Sequence, residues 1–380
     1  MKAYLCILLL LSGLMPGRIP APPVLRDGDI SLQAPSAILM EQETGAVLYE
    51  KNPDERMAPA SVTKVMTLLL ILEDLEAGKL QLEDVVTASA RAASFGGSCV
   101  YLEEGERMTV DEMLKCITVV SANDCAVAMA EHLSGTEALF VERMNRRAQE
   151  LGLDNTHFTN CTGLFDDEEH YSSARDIALM SRELMRHPLI RSYSTIWMDS
   201  IREGSFELVN TNKLLTRYEG CTGLKTGFTS LAMYCLSATA ERDGLALIAV
   251  VMHGETSDSR NADAAALLNY GFAGFSLCSL RPEGPLPRLP VEMGRQGSVA
   301  LRCSGAEQAL VPKGSGTPDY ALSLPKLLSA PLSEGQQVGT LTVRLGDEIL
   351  AELPILAAEE VPRIGFWGIF WKLAGSLAGL

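Results

Sequence analysis

The sequence predicts a mixed α/β chain. One antiparallel sheet is flanked by helices and built from distant segments, with a helical subdomain inserted between them. A small all-β domain and an amphipathic C-terminal helix follow. Three observations lead there. Hairpin patterns stand near the start of the chain and again between Gly223 and Gly254. Helical periodicity fills the stretch between them. From about Ser276 the texture changes to short β-like runs among frequent Pro and Gly.

Taken in order, "MKAYLCILLLLSGLMPGRIPA" has a positive start at Lys2, an apolar run from Ala3 to Met15, then Pro16 and Gly17, with small Ala21 as a cleavage point. That is the pattern of a secretory signal over residues 1–21. The run is shorter than the roughly 20 residues a bilayer span needs. Residues 22–35 read as an extended lead-in. "SAILMEQETGAVLYEKN" gives two apolar runs around Glu43-Thr44-Gly45, a hairpin. Pro59 stands where a helix start tolerates it, and residues 61–78 read as a helix.

A mostly helical region follows. Thr109 with Glu112 three residues on forms a capping-box pattern, and "SSARDIALMSRELMRHP" is a helix stopped by Pro188. "AMYCLSATAERDGLALIAVVMHG" folds over Asp243-Gly244 as a second hairpin, and "SRNADAAALLNYGFAGF" is a helix to pack on it. "SVALRCS", "YALSLP" and "VGTLTVRLGDEILAELPIL" supply the β-rich domain. The expected organisation is a signal peptide over 1–21, a main domain over 32–275, a β-rich domain over 276–361 and a tail helix over 362–380. In the tail, Trp367 and Trp371 stand within a wide apolar face. This predicts a helix lying at a membrane surface.

The 380 residues carry a formal net charge of -16, with no run of Lys or Arg, which argues against a nucleic-acid partner. Nine cysteines include Cys6 in the signal segment, and no CxxC or Cys/His cluster marks a metal site. Neither metal nor cofactor is expected. The remaining cysteines are expected to be mostly buried free thiols, with a pair such as Cys221 and Cys235 left open.

The chemistry starts at "APASVTKVMTLLLILEDL". Lys64 stands among Val65, Met66, Leu68, Leu69 and Leu70, where a lysine is costly to bury unless paired or neutral. Ser61 lies three residues before it, on the same helical face. A serine hydroxyl is a poor nucleophile until a base takes its proton, and apolar packing lowers a lysine's pKa enough to make it that base. Backbone N–H groups at a helix start are placed to hold an oxyanion. In "SAN", Ser121 can relay a proton and Asn123 can bind a peptide carbonyl. In "KTG", Lys225 supplies charge, Thr226 a hydroxyl and Gly227 room for a ligand backbone.

S-x-x-K, S-D-N and K-T-G, in that order, form the signature of penicillin-binding proteins and class A β-lactamases; Ala122 replaces the Asp here. With "PASVTKVMT", "SANDCAVAMAEHLSG", "NTHFTNCTGL", "NTNKLL" and "TGLKTGFTSLAMYCLSATAERDGLALIAVVM", the chain resembles a low-molecular-weight penicillin-binding protein. That is a serine-type D-alanyl-D-alanine carboxypeptidase, of the branch found in Gram-positive spore formers. The resemblance is close over 35–275 and looser beyond. It implies a serine β-lactamase/transpeptidase-like domain. Ser61 would form the acyl-enzyme, Lys64 act as base and Ser121 pass the proton to the leaving amine. Asn123 would hold the substrate backbone, and Lys225, Thr226 and Arg260 its terminal carboxylate. Phe228 follows KTG, where some relatives carry histidine. The implied partners are a peptidoglycan stem peptide ending in D-Ala-D-Ala, β-lactams as covalent inhibitors and the outer face of the cytoplasmic membrane. A β-lactamase shares the motifs, but no glutamate for rapid deacylation falls on one. A non-catalytic peptidoglycan-binding protein is the other alternative, against which Ser61, Lys64, Ser121 and Lys225 stand intact.

Overall fold

The computed structural model describes residues 25–26 and 30–369. The signal segment and most of the tail helix lie outside the described residues. Two compact units divide between Phe275 and Ser276.

The sheet of the first unit has six strands. Their order is Leu25–Arg26, Val47–Lys51, Ser36–Glu41, Leu245–Gly254, Met233–Arg242 and Cys221–Thr229. The early hairpin therefore pairs edge to edge with the late one: Ser36–Glu41 lies antiparallel to Leu245–Gly254, with Ile38 opposite Val250. Within the expected lead-in, Leu25–Arg26 adds an edge strand parallel to Tyr49 and Glu50. Two residues are too few to show an alternating pattern, so the sequence hid it.

Ser36–Glu41 is buried at every position, because both faces of the sheet are covered. On one side Ile38, Met40, Ile248 and Val250 share a core with Val65, Leu68 and Leu69 of the helix Lys64–Glu76. The other side packs on the helix Ser257–Gly274. At Gly271 that helix comes so close that a Cβ would lie 2.5 Å from Leu247 Cδ1.

Between the hairpins, Val110–Val119, Asn123–Ser134 and Glu137–Glu150 form the centre of the helical subdomain. Two small two-stranded antiparallel sheets also occur there, Val85–Thr87 with Arg107–Thr109 and Met198–Ile201 with Phe206–Val209. They stand as exceptions in a region read as mostly helical. Helix Ala174–Met185 starts on the Ser173 cap. Pro188 does not only end a helix: it leads into a further one, Leu189–Ser194, where its fixed φ suits a first turn.

The second unit holds a four-stranded antiparallel sheet, ordered Leu301–Cys303, Glu348–Ala357, Gln337–Leu345, Asp319–Ser323. Smaller sheets flank it, and two separate apolar clusters form its core. All eight described cysteines are free, five of them buried, so Cys221 and Cys235 are not bridged. Among the described residues no helix is long and apolar enough to cross a membrane.

The capping box is present as expected. Thr109 Oγ1 accepts from Glu112 N–H at 3.2 Å, and the Glu112 carboxylate accepts from Thr109 N–H at 2.9 Å. This fixes the start of the helix that delivers Ser121. Thr109→Ala is expected to lower stability by about 1 kcal/mol, read as the shift of the urea midpoint monitored within the first unit.

Candidate active site

Ser61 lies not in the α-helix itself but in the 3-10 turn Ala60–Thr63 that leads into it, and Lys64 is the first α-helical residue. The tighter turn still brings the two side chains together, with Lys64 Nζ 3.2 Å from Ser61 Oγ. Ala60 holds φ at +48°, an uncommon state for a residue with a side chain. Gly163 secures it from above: at φ +70° it packs so closely that a Cβ would fall 1.8 Å from the Ala60 carbonyl oxygen.

Lys64 is fully buried. Besides Ser61, its Nζ donates to Asn123 Oδ1 at 2.6 Å and to the Thr162 carbonyl at 2.8 Å. Burial lowers its pKa from the usual lysine value to about 7. A neutral amine has two hydrogens and one lone pair. With both hydrogens given to Asn123 and Thr162, the lone pair is left facing the Ser61 hydroxyl. Among the described residues no carboxylate hydrogen-bonds to either group.

Asn123 thus meets the Lys64 amine, which engages its carbonyl. Its Nδ2 donates to Gly96 O at 2.8 Å, which leaves one amide hydrogen uncommitted. Ser121 precedes it between two helices at φ +65°, a backbone state that turns its hydroxyl out of the helix path. Lys225 Nζ reaches across to donate to Ser121 Oγ at 2.9 Å and to its neighbour's carbonyl, Thr226 O, at 2.9 Å. Burial pushes the Lys225 pKa well down, and the charges of Lys64 and Arg260 push the same way.

The strand Cys221–Thr229 carries Lys225, Thr226 and Gly227 past the serine turn. A Cβ at Gly227 would lie 2.8 Å from Pro59 O and 3.1 Å from Ser61 N. The glycine thus keeps the serine's own N–H free of a side chain. Thr226 Oγ1 is 2.7 Å from Thr211 Oγ1. Arg260 is buried on the neighbouring helix and donates to the carbonyl of Cys235, the strand partner of Gly227. Phe228 is exposed, its ring 4.4 Å from that of Tyr234, centroid to centroid.

Sequence reasoning missed three participants. Thr162 acts through its backbone carbonyl, which no side-chain pattern signals. Thr211 lies within "NTNKLL", whose resemblance assigned it no role. His170 Nδ1 accepts from Thr159 N–H at 3.0 Å, so its proton sits on Nε2 and is donated to Thr63 Oγ1 at 2.7 Å. Burial lowers its pKa to about 4, which keeps that tautomer neutral at physiological pH. It ties the 159–164 loop to the serine turn.

A hydroxyl beside a poised amine, with a second hydroxyl held by a second lysine, is an arrangement that can carry acyl transfer. On this sheet it defines the penicillin-binding class of serine enzymes. Comparison with known proteins agrees. The model of the D-alanyl-D-alanine carboxypeptidase family matches residues 23–256, and that of the penicillin-binding protein 5 C-terminal domain matches residues 286–363. D-alanyl-D-alanine carboxypeptidase DacF of Bacillus subtilis (strain 168) is 43% identical over 347 residues, 90% of this chain and 89% of the relative. DacC of Escherichia coli (strain K12) is 33% identical, over 90% of this chain and 87% of its own. The crystal structure of penicillin binding protein 5 from Haemophilus influenzae superposes with a TM-score of 0.72 at 33% identity, covering 88% of this chain and 99% of that one. The chain belongs to the family of serine D-alanyl-D-alanine carboxypeptidases.

If the neutral Lys64 amine is the base, acylation by penicillin should rise with pH through about 7 and level off above it. The neutral fraction grows about tenfold per pH unit below the pKa. Second-order labelling rates between pH 5.5 and 8.5 test this, and a flat profile counts against Lys64.

Proposed function

We propose that this enzyme removes the terminal D-alanine from peptidoglycan stem peptides ending in D-Ala-D-Ala, through an acyl-enzyme on Ser61. The observation that carries the reading is the Lys64 amine, held between Asn123, Thr162 and Ser61. The Ser61 oxygen attacks the carbonyl carbon between the two D-alanines while Lys64 Nζ takes the hydroxyl proton. Negative charge gathers on the carbonyl oxygen, and the Ser61 N–H is placed to stabilise it. The C–N bond then breaks. The proton held by Lys64 passes through the Ser121 hydroxyl, tied to Lys225, to the departing amine, which leaves Lys64 neutral and Ser121 unchanged. Water hydrolyses the ester by the reverse relay, returning Ser61 and Lys64 to their starting states.

In this reading Lys225, Thr226 and Arg260 hold the substrate's terminal carboxylate by charge-assisted hydrogen bonds. Gly227 leaves room for the peptide backbone, and the free Nδ2 hydrogen of Asn123 meets the substrate amide chain. The absence of a carboxylate bonded to Ser61 or Lys64, among the described residues, favours slow deacylation of β-lactams and argues for inhibition rather than turnover. A muropeptide ending in D-Ala-D-Ala should lose one D-alanine by mass analysis, and a fluorescent penicillin should label Ser61 stably. Ser61→Ala should abolish both. Lys64→Arg, which keeps the charge but cannot deprotonate, should lower acylation by at least about a hundredfold.

The enzyme is exported and held on the outer face of the cytoplasmic membrane by its C-terminal segment. Exposed Phe366 and Trp367 support this, as does the apolar face that continues beyond them in the sequence. Deleting residues 364–380 should release a soluble enzyme that acylates at the wild-type rate. If the truncated enzyme still sediments with membranes, the anchor lies elsewhere.

A further inference from the structure

Arg260 is an unusual cation. It is 4% exposed, yet none of the groups bonded to its guanidinium is a carboxylate. Nη1 donates to Cys235 O at 3.3 Å and Nη2 to Ser257 Oγ at 3.3 Å. Its firmest partner is its own neighbour in sequence. Asn261 Oδ1 accepts from Nε at 3.2 Å and from Nη2 at 3.0 Å. The Tyr234 ring lies 5.9 Å from the guanidinium carbon. Asp258, on the same helix, contributes at a distance but is exposed and unbonded to it.

Asn261 is 7% exposed, and among the described residues its Nδ2 has no hydrogen-bond partner. The chemistry fixes its orientation, since the reverse placement would set an NH₂ group against the guanidinium. A buried amide with one end unpaired is destabilising. A residue selected for packing alone would be apolar, and one selected to stabilise the buried cation would be Asp. A neutral acceptor here does something neither would do. It grips the guanidinium in one plane and leaves its charge uncompensated.

We propose that Asn261 is the positioning residue of the carboxylate reader, holding Arg260 by a neutral amide so that its full positive charge meets the carboxylate of the incoming acyl donor. The inference rests on the reading that Arg260 binds that carboxylate. The four contacts leave one of the guanidinium's five N–H groups, on Nη1, uncommitted. Arg260 also stands close enough to Lys225 to depress that lysine's pKa. Through Cys235, the strand partner of Gly227, the guanidinium is also tied to the strand that carries Lys225. An aspartate at position 261 would keep the geometry and the fold but pair internally with Arg260. The reader would then be neutralised before substrate arrives.

The test uses the full chain and one clean step, acylation of Ser61 by penicillin or by its methyl ester, which lacks the carboxylate. The readout is the ratio of the two second-order rate constants, acid over ester. Asn261→Asp is expected to lower that ratio 10- to 100-fold. Asn261→Leu, which keeps the volume and loses the grip without adding charge, is expected to lower it less, about 3- to 10-fold. Arg260→Ala is measured beside them. If Arg260→Ala leaves the ratio unchanged, the underlying carboxylate reading fails. If Arg260→Ala lowers the ratio while Asn261→Asp slows both compounds equally, or neither, Asn261 has only a structural role and the present proposal is overturned alone. Because an Asp–Arg pair stabilises rather than disrupts the helix start, loss of folding in Asn261→Asp with retained discrimination in Asn261→Leu would also overturn it.

Discussion

A lysine amine buried without a carboxylate partner is the constraint around which the first unit is arranged. An unpaired ammonium in apolar surroundings is strongly disfavoured. The cost falls on the charged form, so the amine shifts toward neutrality instead of being expelled. That outcome requires that its remaining hydrogens be satisfied and that no water reach it. The structure meets both conditions with groups from three distant segments: the helix that carries Lys64, the start of the Asn123 helix, and the 159–164 loop. Thr67 Oγ1 reinforces the last of these by donating to Cys161 O at 2.7 Å.

Holding three segments on one nitrogen demands local backbone states that ordinary residues resist. Ala60 and Ser121 both adopt positive φ, at +48° and +65°. Such states cost of order 1–3 kcal/mol each and persist where surrounding contacts over-determine them. Here the contacts are visible. Gly163 presses on Ala60, His170 bonds Thr63 beside it, and Lys225 holds the Ser121 hydroxyl. The two-faced burial of the sheet makes this platform stiff, because neither hairpin can move without opening a core on one side or the other.

The charge distribution runs against the bulk. The chain as a whole is acidic, at -16, yet the cleft gathers Lys64, Lys225 and Arg260 in buried positions with no bonded carboxylate among the described residues. A concentration of one sign within low-dielectric walls focuses the field on the cleft. Burial, and after it the charges of Lys64 and Arg260, push the Lys225 pKa down, while burial is what lowers Lys64, and the site is left in want of an anion. In the proposed reading, one electrostatic arrangement serves both proton transfer and recognition.

The sequence by itself determined the hairpins, the helical insertion, the change of texture after Phe275 and the motif residues. These follow from local periodicity, turn chemistry and spacing, all of which a linear reading can see. Ser61 and Lys64 were legible because three residues along one helical turn always bring side chains together. Only the tertiary structure decided that Thr162 supplies a backbone carbonyl to Lys64, that His170 locks the serine turn, and that Asn123 is engaged with Lys64. It also decided that Asn261 grips Arg260. The two-residue edge strand and the small two-stranded sheets were hidden because segments that short carry no periodicity. A carbonyl, a tautomer or a shared amide leaves no mark in sequence, because such contacts depend on where separate chain segments end up in space, and long-range packing alone sets that.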